Sequence, residues 1–185
     1  MNPWQKLLRA VRQTVAGTPI RFTYAADGFG VRKKFVPFLN DPAFAKAWDE
    51  TVALNAGLWE GGPLPDIRWR CHTCAWAAEA CLRLDGDFAE FGVNTGVLSS
   101  MVLKTTRLAQ TDKRFFLFDT FEGIPEDMAT AAEQAHVREM NKSLYAHDAL
   151  TIAKRAFASF DSVRFVVGRL PESLEGSGLD RLAYA

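Results

Sequence analysis

The chain has 185 residues, 48% hydrophobic and 24% charged, with 22 Lys and Arg balanced by 22 Asp and Glu. This is the composition of one globular domain long enough to bury a core, and it excludes disordered, collagen-like and coiled-coil architectures. Zero formal charge lends no support to a nucleic-acid partner or a polybasic membrane contact. No apolar run approaches the roughly 18 residues that a membrane span needs. The N-terminus lacks the uninterrupted apolar stretch of a secretory signal, and the cysteines, Cys71, Cys74 and Cys81, are odd in number. Both observations point to free thiols in a reducing, cytoplasmic setting.

In chain order, Asn2-Pro3 predicts the start of an amphipathic helix with Trp4, Leu7, Leu8, Val11 and Val15 on one stripe, stopped by Gly17 and Pro19. Its Lys6, Arg9 and Arg12 would also suit a transit peptide or a membrane-surface helix, but packing onto the domain is the simpler reading. Residues 18–40 read as irregular, with a turn at Asp27-Gly28. Asp41-Pro42 opens a second helix carrying Phe44, Trp48 and Val52, and residues 60–65 form a loop. Asp66 is the expected N-cap of a third helix reaching about Leu84, ended by Asp85-Gly86. Cys71-His72-Thr73-Cys74 lacks the second ligand pair that a zinc site needs, and Ala75 rather than His follows it. Positions 71, 74, 78 and 81 share one helical face, so the thiols read as core.

From residue 87 the pattern changes. Phe88 to Gly92 reads as a buried strand, Gly96 to about Ala109 as a helix, and Arg114 to Asp119 as a second strand. Residues 127–160 read as two helical pieces around Tyr145–Asp148, Val163–Val167 as a third strand, and Leu182–Ala185 as the start of a fourth. Strands alternating with helices predict an α/β fold, a Rossmann-like doubly wound parallel sheet covered on both faces. The expected organisation is an N-terminal helical or lid segment over 1–65 and the Rossmann-like domain over 66–185.

The chemistry is concentrated in Phe88 to Gly96, FAEFGVNTG, and in Asp119. A glycine-rich turn after the first strand lies at the carboxyl end of the sheet, where doubly wound folds bind ligands. An acid ending the second strand can accept both hydroxyls of a ribose, so the pattern implies a nucleoside-containing cofactor. Aligned on Gly92, a dinucleotide fingerprint would need glycine where Asn94 and Val97 stand, and Glu90 would repel a pyrophosphate. S-adenosylmethionine, cationic and free of phosphate, meets neither objection. The cofactor-binding residues expected from this pattern are Glu90, Gly92, Asn94, Thr95, Gly96 and Asp119.

These residues carry a resemblance. FAEFGVNTG, FFLFDTFEGIPE and VRFVVGRLPESL resemble the macrocin O-methyltransferase (TylF-like) family of class I S-adenosylmethionine-dependent methyltransferases, over about residues 66–185. The resemblance implies that Glu90, Gly92 and Gly96 line the methionine end of the cofactor. It implies that Asp119 holds the ribose, and that Phe121 and the turn Gly168-Arg169-Leu170 lie near the adenine. It implies O-methylation of a small-molecule hydroxyl acceptor, a sugar among the candidates, with homo-oligomerisation as a further expectation and neither nucleic acid nor membrane as partner. In the family, the strand that begins here at Arg181–Ala185 runs on to an aspartate, and later acids join it to bind a divalent metal. The expectation is therefore that this chain is an incomplete enzyme lacking the C-terminal half of the sheet. It would hold no metal and turn over no substrate, with Mg²⁺ needed only by a longer version. No catalytic residue is identified.

The competing readings are a nicotinamide-dependent oxidoreductase and a non-catalytic nucleoside-binding module. His72, His136 and His147, with Asn141 and Tyr145 one helical turn apart, are weighed as substrate-facing against ordinary helix or surface roles. Trp69, Trp76, Phe115, Phe116, Phe157 and Phe160 read as core.

Overall fold

The computed structural model describes residues 21–58, 64–145 and 147–185. The helix expected over residues 2–16, its stop at Gly17 and Pro19, and most of the loop expected at 60–65 lie outside the described residues.

Four short apolar segments build the sheet: β3 (Asp87–Phe91), β4 (Phe115–Asp119), β5 (Val163–Val167) and β6 (Leu182–Tyr184). They lie in the order β5-β4-β3-β6, and every pairing is parallel. Counted within the sheet this is 3-2-1-4, the opening half of the doubly wound order, and it places the switch in strand order between β3 and β6. Side chains alternate along each strand. Phe88, Phe115 and Leu117 therefore face one core, shared with Ala78, Val102, Leu103, Ala153 and Phe157, while Ala89, Phe116 and Phe118 face the other side, against Val166, Leu170 and Leu179. Full burial of each large apolar side chain contributes about 1.5–3 kcal/mol.

The helices are α1 (Pro42–Leu54), α2 (Arg68–Cys81), α3 (Val97–Thr105), α4 (Gln134–Ser143) and α5 (Ala149–Ala156). Asp41 caps α1, its carboxylate accepting from the N–H groups of Ala43 and Phe44. Helix α1 buries Phe44, Ala47 and Trp48 against Cys71 of α2 and Met101 of α3. At the opposite end of the sheet from the glycine turn, Asp87 accepts from the Arg114 backbone N–H at 2.8 Å and from its guanidinium at 2.6 and 2.9 Å. This pins the starts of β3 and β4 in register.

Several expectations are corrected. Residues 18–40 are not wholly irregular: β1 (Tyr24–Ala26) and β2 (Phe29–Val31) form an antiparallel hairpin around Asp27-Gly28. Both turn residues have positive φ, 49° and 75°, the backbone that a two-residue hairpin turn demands. The strands are too short to show alternation, and Phe29 stacking on Trp69, with ring centroids 5.0 Å apart, docks the hairpin on α2. Helix α2 ends at Cys81 rather than Leu84, and its N-cap is Ile67, although Asp66 still accepts from the Arg68 N–H. Helix α3 ends at Thr105, short of Ala109. Trp76 is not core; it is 69% exposed, because the inward face of α2 carries Cys71, Ala75 and Ala78 and Trp76 projects from the other side. Cys71 is fully buried, and Cys74 and Cys81 are half-buried against the main core.

Candidate functional site

The carboxyl ends of β3, β4 and β5 bring the expected residues together. After Phe91 the chain turns through Gly92, Asn94 and Gly96, with φ of 86°, 51° and 78°, and enters α3 at Val97. Gly96 is required twice over. Its φ is left-handed, and a Cβ there would stand 2.5 Å from the buried Phe157 ring. Gly92 differs, since no heavy atom lies within 4 Å of its would-be Cβ. The backbone there borders an open cradle.

Asp119 ends β4 and organises the turns around it. Its Oδ2 accepts from the Asn94 N–H at 2.7 Å, and its Oδ1 from the Phe121 N–H at 2.7 Å. Both donors are non-glycine residues in the left-handed region, at φ 51° and 56°. Such residues cost on the order of 1–3 kcal/mol each and persist only where the surroundings hold them. Hydrogen bonds to a charged group, about 1.5–3 kcal/mol each, supply that restraint. Each carboxylate oxygen retains capacity for a further donor. The Asp119 carbonyl in turn accepts from the Gly168 N–H at 3.0 Å, which fixes the turn after β5 beside it.

Glu90 lies on the same sheet face as Asp119, two register positions back along the neighbouring strand. Its Oε2 accepts from the Ser99 backbone N–H at 3.1 Å and from the Ser99 hydroxyl. Ser99 is the third residue of α3, so Glu90 occupies the anion-favouring N-terminus of that helix. Burial pushes the Glu90 carboxyl up to about 8; the Ser99 N–H opposes this and the Asp119 charge reinforces it. A cavity of about 320 Å³ opens beside these groups, lined by Cys74, Glu90, Gly92, Leu98, Ser99 and Tyr184 among others, and its lining includes no lysine or arginine among the described residues.

The other residues weighed from the sequence divide between this turn and distant positions. Thr95 is buried and its hydroxyl donates inward to Asn55 Oδ1 at 2.7 Å. Asn55 itself donates to the Thr51 carbonyl at 2.8 Å. The turn is thereby tied to the end of α1, and the Thr95 side chain faces away from the cradle. Phe121 packs its ring towards Phe165, centroids 6.1 Å apart. Asn141 clasps Ile124, accepting from its N–H and donating to its carbonyl, both at 2.9 Å. This is a helix-to-loop contact. His72 packs against the rings of Phe38 and Phe44, and His136 is exposed on α4. His147 reaches the turn, with Nε2 3.0 Å from Asn94 Oδ1.

Sequence reasoning missed Ser99, Asn55 and the His147–Asn94 contact. Ser99 carried a signal, because a hydroxyl on the third residue of a helix, beside the orphan donors of its first turn, suits an incoming carboxylate. Asn55 is 40 residues from Thr95, and nothing local marks it. Among the described residues, no three His, Cys, Asp or Glu side chains converge as ligands for a cation. No helix there is long and apolar enough to cross a membrane.

Residues 72–185 match the family model described as Macrocin-O-methyltransferase (TylF). No curated protein matches the chain. Among solved structures the chain is similar to the one titled "Structure of the O-methyltransferase NovP", with 23% sequence identity and a TM-score of 0.49, covering 61% of this chain and 50% of that one. The chain thus spans about half the length of that relative.

Proposed function

The chain belongs to the macrocin-O-methyltransferase (TylF) family, and from that premise we propose that it serves the transfer of a methyl group from S-adenosylmethionine to a hydroxyl of a small molecule. The observation that carries this reading is the occupant of the α3 N-terminus. A dinucleotide-binding fold keeps that position for a pyrophosphate. Here the Glu90 carboxyl takes the Ser99 N–H, and among the described residues no basic side chain lines the cavity alongside. Such a cradle suits a cationic, phosphate-free ligand.

The residues present fit S-adenosylmethionine. Gly92 leaves the cradle open, Glu90 offers a carboxylate to an ammonium or sulfonium, and Asp119 offers its remaining lone pairs to two ribose hydroxyls. The cofactor supplies an electrophilic methyl group. The chain supplies position and desolvation: Asp119 orients the nucleoside, Gly92 brings backbone close, and Glu90 exchanges its proton for the charge of the ligand.

Calorimetry of the chain with S-adenosylhomocysteine and with NAD tests the reading. Binding of S-adenosylhomocysteine in preference to NAD is expected. Tighter binding of NAD would replace the methyltransferase with an oxidoreductase.

A further inference from the structure

We infer that His147 is a positioning residue for the carboxylate of Asp119, acting through Asn94, an inference that rests on the cofactor role proposed above for Asp119. The ring is delivered from a firm base. His147 directly precedes Asp148, which caps α5 by accepting from the Thr151 N–H at 3.0 Å, and α5 buries Ala149, Ala153 and Ala156. From there Nε2 stands 3.0 Å from Asn94 Oδ1.

Asn94 is consequently held at both ends. Its backbone N–H donates to Asp119 at 2.7 Å and its side chain meets His147, with φ at 51° between them. Asparagine tolerates this backbone better than most residues but does not prefer it. With the side-chain tether removed, the peptide is free to relax towards negative φ, and its N–H leaves Asp119. The carboxylate then keeps only the Phe121 N–H and loses its fixed rotation about the strand end.

The chemistry of the ring suits the donor role that this tether needs. Burial holds His147 below the ordinary histidine range, so the ring is neutral at neutral pH. A neutral imidazole carries one N–H, and the Asn94 carbonyl oxygen facing Nε2 places the proton there. Nε2 is then the donor of the tether, and the lone pair of the ring lies on Nδ1.

The test uses the 185-residue chain and two independent readouts. In calorimetry with S-adenosylhomocysteine, His147→Ala is expected to weaken binding roughly 3- to 10-fold, the consequence of one lost hydrogen bond. His147→Gln, whose amide can still donate, restores most of the affinity. Glycine adopts a left-handed backbone without a tether, so in an Asn94→Gly background His147→Ala has no further effect. Amide hydrogen exchange, read without ligand, is expected to accelerate at Asn94 in His147→Ala while Leu117 within β4 keeps its rate. An equal loss of affinity in the Asn94→Gly background, or unchanged exchange at Asn94, overturns the inference. Should the wild-type chain bind no S-adenosylhomocysteine, the cofactor reading falls while the exchange experiment still decides the role of His147.

Discussion

Gly96 and Phe157 pack backbone against ring: a Cβ on Gly96 would stand 2.5 Å from Phe157 Cε2 and 2.8 Å from Cζ. The contact joins the turn after β3 to the end of α5, across the main core. It also separates the two glycines of the turn into different tasks.

Gly96→Ala adds a methyl group where φ is 78° and where a buried aromatic ring already stands. Left-handed strain and overpacking each cost on the order of 1–3 kcal/mol, so a loss of about 2–4 kcal/mol in unfolding free energy is expected. Gly92→Ala meets the same kind of strain at φ 86° but no neighbouring atom, and is expected to lose about 1 kcal/mol. Its methyl group enters the cradle, so its binding of S-adenosylhomocysteine should suffer more than its stability. Urea denaturation with calorimetry on both variants separates the effects, and equal destabilisation would show that the space around Gly96 has been misjudged.

Asp119→Ala removes the acceptor for Asn94 and Phe121 N–H together. The expected result is a drop of at least about tenfold in S-adenosylhomocysteine affinity, from lost charge-assisted hydrogen bonds. A lower melting temperature should accompany it, because two left-handed residues lose their restraint. Secondary structure by circular dichroism should remain. Unaltered affinity would remove Asp119 from the ribose.

Glu90 should make both stability and ligand binding depend on pH. Its folded-state value is raised from 4.5 to about 8, so the unfolded chain releases this proton at lower pH than the folded chain does. The stabilising contribution of neutral Glu90 is therefore complete below about 4.5 and is lost as pH rises through about 8. Glu90→Gln, which cannot ionise, should gain melting temperature relative to the wild type as pH is raised across that window. Binding of cationic S-adenosylmethionine at pH 7 should release a proton from the wild type and none from the variant. Calorimetry in buffers of different ionisation enthalpy measures this directly, and zero proton release by the wild type would show that Glu90 does not face the ligand charge.

Cys71 is fully buried, and burial pushes its thiol up to about 12; Cys74 is raised by burial as well. The thiolate is the reactive form, so Cys71 and Cys74 should react slowly with a disulfide reagent in the native state. All three thiols should react in denaturant. Rapid native labelling of Cys71 would mean that the contact between α1 and α2 opens readily.

Much of the fold was legible from local pattern. Phe115–Asp119 is an apolar run that only a covered sheet accommodates, and Asp41-Pro42 states where α1 begins. The acids at 90 and 119 stand at strand ends because strand length and turn glycines are local properties. Asp27-Gly28 was legible as a turn but not as a hairpin, because flanking strands of three residues carry too little alternation to read.

What the sequence by itself determined was the order of helices and strands from Asp41 onward, and hence that Glu90, Gly92, Gly96 and Asp119 would gather at the carboxyl end of a parallel sheet. Hydrophobic periodicity, caps and turn residues act over a few neighbours, and so they can be read from neighbours. Only the tertiary structure decided what those groups do to one another. The Asp119 carboxylate serves two left-handed turns. Thr95 turns inward to Asn55. Glu90 fills the N-terminus of α3 through Ser99, and His147 arrives at Asn94 from beyond α4. Those partners lie far apart along the chain. Their pairing follows from the register of β3 against β4 and from the packing of α1, α3 and α5 on one sheet face, which no local run of residues encodes.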